Sequence, residues 1–155
     1  MKKKEPRPVL AEKWCGSTNV MFDLHLGDES NCRIAFSPGK LDRMIRKAIK
    51  QVGMIRRKGL LDVWESRQFG PATSFHSLQE SHVRVETWPK ESHVQGEVQL
   101  CNFSRDNSAA ARRLTDIIIK NLQPVTTQIF VITRGPGKKI VVVTESSDIR
   151  KTCED

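Results

Sequence analysis

The sequence predicts an α+β fold in two layers, in which an antiparallel sheet carries its helices on one face. Two segments repeat apolar residues with the helical period, one from Leu41 to Val52 and one from about Ser108 to Leu122. Around them lie short segments that alternate apolar and polar residues, as strands with one buried face do, and His82–Trp88 is the clearest. At 155 residues, the chain is long enough for one domain with a real core.

The first half contains one helix flanked by short strand-like segments. Leu41, Ile45 and Ile49 share one side of this helix, and Arg and Lys residues occupy the other. The elements predicted here are a strand within Pro8–Cys15, a strand at Asn19–Leu26, a loop at Gly27–Asn31, the helix, a strand at Leu60–Trp64 and a loop at Gln68–Ser74.

The second half follows a similar plan, so the sequence predicts an internal pseudo-repeat of structure and not of sequence. Pro89 ends the strand at His82–Trp88, and Pro124 stops the second helix. The other elements predicted here are a return strand at Val94–Cys101, a hairpin of Thr127–Thr133 with Lys139–Thr144 around Gly135-Pro136-Gly137, and a loose tail from Glu145 to Asp155. We expect residues 1–7 and 146–155 to be flexible.

Composition narrows the class of protein. No apolar run is long enough to cross a membrane, and the basic start has no apolar segment behind it, so it is not a secretory signal. The four cysteines, Cys15, Cys32, Cys101 and Cys153, lack metal-ligand spacing and suit free thiols in a reducing cytoplasm. The net charge of +8 is compatible with nucleic-acid binding, but a solvated helix face and a charged tail explain it more simply.

One stretch carries a specific motif. Glu80-Ser81-His82 runs into a strand that ends in Thr87-Trp88-Pro89, and Cys101 follows downstream. This arrangement resembles the self-cleavage segment of the S-adenosylmethionine decarboxylase family of prokaryotic type. The resemblance is specific from Glu80 to Cys101 and looser from Leu41 to Thr133.

The resemblance implies a proenzyme with that family's two-layer sandwich, which cuts itself between Glu80 and Ser81 into a chain of residues 1–80 and a chain of residues 81–155. The serine hydroxyl attacks the preceding carbonyl to form an ester, and elimination followed by hydrolysis leaves a pyruvoyl group. This ketone forms a Schiff base with a substrate amine and accepts the electrons left by departing carbon dioxide. The family's product feeds polyamine synthesis in the cytoplasm, and its members assemble as dimers of cleaved protomers.

The resemblance also assigns roles to individual residues. Cys101 stands where the family places its proton-donating cysteine. Glu86 occupies the position at which the family has a histidine, where a carboxylate can act as acid or base or hold a cationic substrate. Thr73, or Ser74 after a one-residue slip, matches the processing serine that polarises the Glu80 carbonyl. The resemblance implies no metal.

The expected substrate-binding residues depart from the family pattern. Lys90 replaces the glutamate that grips the ribose of S-adenosylmethionine and cannot accept those hydrogen bonds. Phe69 and Arg67 lie near the place of the phenylalanine that stacks on adenine, and Asp23 or Glu12 corresponds to an acidic residue of the first strand. The substrate is therefore S-adenosylmethionine or, as for some members of this family, ornithine or arginine.

Two other interpretations stay open. Without the family histidine, Ser81 can remain uncut and the protein can serve as a non-catalytic partner or regulatory subunit. A basic RNA-binding domain is the other, although the chain has no tyrosine for a stacking strand. Ser81 and Glu86 also point opposite ways in a straight strand, so a bend at Ser81, or movement after cleavage, is needed to bring them together.

Overall fold

The structure is a computed structural model that describes residues 16–27, 34–103, 105–136 and 140–148. The described strands are β1 (Ser17–His25), β2 (Arg56–Val63), β3 (Ala72–Leu78), β4 (Ser81–Trp88), β5 (His93–Cys101), β6 (Thr126–Arg134) and β7 (Val141–Asp148). The helices are α1 (Pro38–Gln51) and α2 (Ser108–Leu122), and a single 3₁₀ turn covers Pro89–Glu91. The strand predicted within Pro8–Cys15 and most of the loop predicted at Gly27–Asn31 lie outside the described residues.

All the strands form one antiparallel sheet in the order β2-β3-β4-β5-β1-β6-β7. Both helices pack on one face of this sheet, which confirms the predicted α+β sandwich. We call this the helix face and call the opposite one the open face. On the helix face, Phe22, Val83 and Val98 from the central strands meet Ile45 of α1 and Ile118 of α2 in one buried core.

Gly96 makes room for the side chain of Phe22, its partner residue on the neighbouring strand β1. A Cβ built on Gly96 would lie 2.4 Å from the ring of Phe22 and 2.7 Å from the carbonyl oxygen of Arg84. Because real Cβ atoms essentially never make such short contacts, only glycine leaves room for the Phe22 ring at this position.

The strand β3 is missing from the sequence prediction, which placed a loop over Gln68–Ser74. The loop covers residues 64–71, and β3 begins at Ala72. Its buried positions include Ser74 and His76, so the strand lacks the apolar alternation by which a half-buried strand is recognised. β2 also begins at Arg56 and not at Leu60, because an edge strand tolerates charged residues. At the other edge, β7 continues to Asp148, into the segment predicted to be a tail.

A buried polar network replaces apolar packing beneath α1. His76 is completely buried, and its Nδ1 accepts a hydrogen bond of 2.8 Å from Nε of Arg56. Its Nε2 therefore carries the proton and lies 3.1 Å from Oγ of Ser74 and 3.3 Å from a carboxylate oxygen of Asp42. Asp42 also forms an ion pair with Arg46 one turn along α1. The network ties α1 to β3 and β2 with a neutral imidazole at its centre.

The network makes stability depend on pH. Burial lowers the pKa of His76 to about 4; the carboxylate of Asp42 opposes this shift, and the nearby Arg56 and Arg46 add to it. The unfolded chain has the ordinary histidine pKa near 6.5, so it binds more protons than the folded chain between pH 6.5 and 4. The stabilisation is thus complete above pH 6.5 and is lost as the pH falls towards 4.

We expect the free energy of unfolding to fall by about 2–3 kcal/mol more in the parent than in His76→Gln between pH 7 and pH 4.5, because glutamine cannot titrate. Urea titrations at both pH values measure this, in a Ser81→Ala background that keeps the chain whole. Equal losses in the two proteins would contradict the assignment.

Candidate active site

The turn between β3 and β4 contains the most unusual backbone of the described chain. Gln79 and Glu80 form the turn, and Ser81 follows with a φ of 118°. Two other non-glycine residues with positive φ, Ser92 and Gln123, lie in the ordinary left-handed region at 49° and 51°, but Ser81 lies well beyond it. Such a conformation costs about 1–3 kcal/mol and persists only where the surroundings enforce it.

Glu80 is what fixes this turn. Its carbonyl oxygen accepts a 3.0 Å hydrogen bond from the backbone N–H of Cys101 at the end of β5. Its buried carboxyl group accepts hydrogen bonds from Nδ2 of Asn107 at 2.6 Å and from the backbone N–H of Phe103 at 3.3 Å. Asn107 also donates to the carbonyl of Cys101 at 2.8 Å. The Glu80–Ser81 peptide is therefore clamped against β5 and the start of α2.

Cys101 lies beside this peptide, because its backbone N–H binds the Glu80 carbonyl. It is partly buried and is a free thiol. By strand alternation its side chain is on the open face, as predicted.

His82 provides a polar contact for the Ser81 side chain. Its Nδ1 lies 3.5 Å from Oγ of Ser81, and its Nε2 lies 3.1 Å from a carboxylate oxygen of Glu97 on β5. The ring of Phe75 stacks on the imidazole with centroids 5.5 Å apart.

A second group of predicted residues forms one row across the open face. The register pairs Thr73 with Glu86, Glu86 with Gln95, and Gln95 with Asp23. Glu86 is mostly buried between Nε2 of Gln95 at 2.9 Å and a guanidinium nitrogen of Arg84 at 3.2 Å. Asp23 is more exposed and lies 3.4 Å from Nε2 of His93. This row places two carboxylates on the open face, one mostly buried and one more exposed.

The other predicted residues occupy different surroundings. Lys90 is exposed in the 3₁₀ turn after β4, and Phe69 is exposed in the loop between β2 and β3, edge-to-face with Phe36. Ser74 points to the helix face and bonds to Asp42 and His76, so it belongs to the buried network. Glu12 lies outside the described residues.

Comparison with known proteins shows what this arrangement is related to. The sequence model of the family described as S-adenosylmethionine decarboxylase matches residues 24–135, which is more than half of the chain. The chain belongs to the S-adenosylmethionine decarboxylase family. No curated protein matches it significantly.

A solved structure shares the fold of this family member. The crystal structure of the adenosylmethionine decarboxylase from Aquifex aeolicus VF5 superposes with a TM-score of 0.66 at 20% sequence identity. The match covers 82% of this chain and 97% of that chain. Neither helix in the described part of the chain is long and apolar enough to span a membrane.

The family's motif positions fall into two groups, at opposite ends of β4. Glu80, Ser81 and Cys101 meet at its start, and Thr73 and Glu86 lie side by side towards its end. Five residues of extended strand separate Ser81 from Glu86, which is about 16 Å. The backbone at Ser81 is bent, as one predicted alternative requires, but the bend does not bring these two residues together within one chain.

Three contributors to the site were missed from the sequence. Asn107 stands immediately before a helix whose start was predicted, at the position where an asparagine side chain commonly caps a helix. It binds Glu80 instead, across 27 residues. His82 and Glu97 meet across two strands, and only the register of β4 and β5 would have indicated their contact.

The backbone at Ser81 makes a test of strain possible. Because glycine accepts a φ of 118° without steric cost and alanine does not, we expect Ser81→Gly to be more stable than Ser81→Ala by about 1 kcal/mol. Urea unfolding of the two uncut chains measures the difference.

The matched control is the same pair of substitutions at Ser77, near the end of β3, in the uncut Ser81→Ala background. There alanine should be the more stable, because glycine weakens an ordinary strand. If alanine is also the more stable at position 81, the strain does not exist.

Proposed function

We propose that this protein is a pyruvoyl-dependent decarboxylase that cuts itself between Glu80 and Ser81 and acts on an α-amino acid with a positively charged side chain. The observation that carries the proposal is the hydrogen bonding and the strained backbone of the Glu80–Ser81 peptide in this family member. Its carbonyl oxygen is held by the N–H of Cys101, and Ser81 is held at a φ of 118°.

This geometry favours the first bond change of self-cleavage. When the Ser81 hydroxyl adds to the Glu80 carbonyl carbon, negative charge develops on the oxygen that the N–H of Cys101 already contacts, and a preorganised donor stabilises such charge. Breaking the peptide C–N bond then releases the backbone strain at Ser81. Elimination of the resulting ester releases Glu80 with a free C-terminal α-carboxylate and turns residue 81 into dehydroalanine. Water then replaces the nitrogen of the dehydroalanine to give the ketone and ammonia.

The residues around position 81 fit a pyruvoyl group. When present, this group supplies an electrophilic carbonyl that serves as the electron sink for loss of carbon dioxide. It would be held as the first residue of the chain that begins with β4, next to His82 and Cys101. We assign the Cys101 thiol as the donor that protonates the carbon from which carbon dioxide has left.

The carboxylate row supports a cationic substrate. Glu86 and Asp23 share the row, and S-adenosylmethionine, ornithine and arginine all carry a positive charge beyond the α-amino group. Lys90 stands where the family has the ribose-binding glutamate, which favours ornithine or arginine over S-adenosylmethionine. Either product would enter polyamine synthesis, and we expect the reaction to take place in the cytoplasm.

A second copy of the chain would complete the site. Within one chain, Thr73 and Glu86 lie about 16 Å along the strands from Ser81. Across the open face, the charged middle is bordered by exposed Leu60, Met21 and Val142, which is an apolar frame suited to burial against another sheet. In a dimer formed through this face, Thr73 and Glu86 of one copy would act on Ser81 of the other.

One observation favours the non-catalytic alternative. Glu86 stands in place of the family histidine, and its two carboxylate oxygens already bind Arg84 and Gln95. A protein that stays uncut and ignores carbonyl reagents would support a role as a partner or regulatory subunit.

The proposal predicts two fragments. Intact mass spectrometry of the denatured protein should show residues 1–80 and a pyruvoyl-blocked chain of residues 81–155, and labelled carbon dioxide should be released from at least one of ornithine, arginine and S-adenosylmethionine. Ser81→Ala should abolish both the cut and the release. Cys101→Ala keeps the backbone N–H, so it should still be cut while releasing carbon dioxide at least 100-fold more slowly. A whole chain with an intact serine would refute the proposal.

The shared site predicts complementation. Ser81→Ala and Glu86→Gln homodimers should each be nearly inactive, but a hybrid dimer contains one site with both Ser81 and Glu86 intact. We expect a doubly tagged, co-expressed hybrid to recover up to half of the parent's carbon dioxide release. If Glu86 acts within its own chain, the hybrid stays as inactive as the homodimers.

A further inference from the structure

We propose that His82, oriented by Glu97, is the base that takes the proton from the Ser81 hydroxyl in self-cleavage. This inference rests on the proposed function and names a catalytic residue for its first step. The sequence offered Glu86 for this role, at the position of the family histidine, but within its own chain Glu86 lies five residues away along β4. Both of its carboxylate oxygens already bind Arg84 and Gln95, so a Glu86 contributed by a second copy would serve substrate binding and decarboxylation and not the cut.

The contacts of His82 set its tautomer. Glu97 accepts a hydrogen bond from Nε2–H at 3.1 Å, which leaves Nδ1 without a proton and with its lone pair available. That nitrogen lies 3.5 Å from Oγ of Ser81. The distance is at the long limit for a hydrogen bond, and contacts of this kind commonly shorten as the reaction proceeds.

The surroundings hold the imidazole in place. Phe75 stacks on one face of the ring with an angle of 30° between the planes. Arg84 lies 3.5 Å from the Glu97 oxygen that binds His82, so Glu97 is itself held between two cross-strand neighbours. A carboxylate behind an imidazole that faces a hydroxyl is the arrangement by which a serine is activated in other folds.

The other described histidines are unavailable. His76 lies on the helix face, and its Nδ1 is bonded to Arg56. His93 is on the open face but opposite Trp88, at the far end of β4, and His25 pairs with His93.

The step balances without a further reagent. The Ser81 hydroxyl proton passes to Nδ1 of His82 as Oγ bonds to the carbonyl carbon of Glu80, and the negative charge formed on the Glu80 oxygen is held by the N–H of Cys101. The imidazolium, stabilised by Glu97, then returns the proton to the nitrogen of Ser81 as the C–N bond breaks. The products are an ester and a free amine, and His82 is regenerated.

The test follows the cut as the protein is made. After a short pulse of labelled leucine, which occurs on both sides of the Glu80–Ser81 bond, in cell-free synthesis, a denaturing gel measures the rate at which full-length chain becomes two fragments. We expect His82→Ala to slow the cut at least 100-fold. Added imidazole should restore part of this rate, which it would not do for a misfolded chain. His82→Gln, of similar size, should be equally slow.

His93→Ala is the matched control, because His93 is also an open-face histidine beside a carboxylate, 3.4 Å from Asp23. It should be cut at the parent rate. Glu97 is a positioning residue, so Glu97→Gln should slow the cut about 10-fold, Glu97→Asp should restore part of the rate, and Glu97→Gln should add nothing in the His82→Ala background.

The outcomes separate the two proposals. A parent chain that is never cut removes the proposed function and this inference with it. A parent that is cut, with His82→Ala and His82→Gln cut within twofold of its rate, overturns the role of His82 alone and leaves the decarboxylase proposal standing.

Discussion

The hydrogen bonds that fix Glu80 are the constraint on which the candidate site depends. Its backbone carbonyl is bound by Cys101, and its carboxyl group is bound by Asn107 and Phe103, so the turn, the end of β5 and the start of α2 meet at one residue. Loss of a buried hydrogen bond to such a group costs about 1.5–3 kcal/mol, and several are made here. Together they outweigh the 1–3 kcal/mol that the backbone of Ser81 would regain by relaxing. The strain is thus retained because its release would break these hydrogen bonds of Glu80.

The two faces of β4 have different roles, one in the hydrophobic core and one in the candidate site. Val83 and Val85 anchor the strand in the core beneath the helices, and the residues that alternate with them, His82, Arg84 and Glu86, form a polar line on the open face. Arg84 contacts Glu86 on one side and Glu97 on the other, so it links the carboxylate row to the residues beside Ser81. A rigid strand therefore keeps the two groups of site residues at a fixed separation, and neither reaches the other without another chain.

The sequence predicted the parts of the fold that are governed by local pattern. The second helix was predicted with its observed bounds, because its apolar period and Pro124 are both local signals. β3 was missed because its buried face is polar, and no alternation rule anticipates a histidine neutralised by burial. In the site, the motif located Glu80, Ser81 and Cys101. The contacts of Asn107 and Glu97 span 27 and 15 residues, so they follow from strand register and helix placement, which a single sequence does not reveal.

The strand order has a consequence for the lifetime of the folded state. β1 precedes the Glu80–Ser81 bond in the chain, but in the sheet it lies between β5 and β6, which both follow that bond. β3, which ends just before the bond, pairs with β4, which begins just after it. Two pieces produced there would be interlocked along three strand boundaries, so a nick would barely loosen them. Refolding after complete unfolding would be slower, because the two pieces would first have to meet by diffusion. Dilution, harmless to the whole chain, would then make denaturation practically permanent.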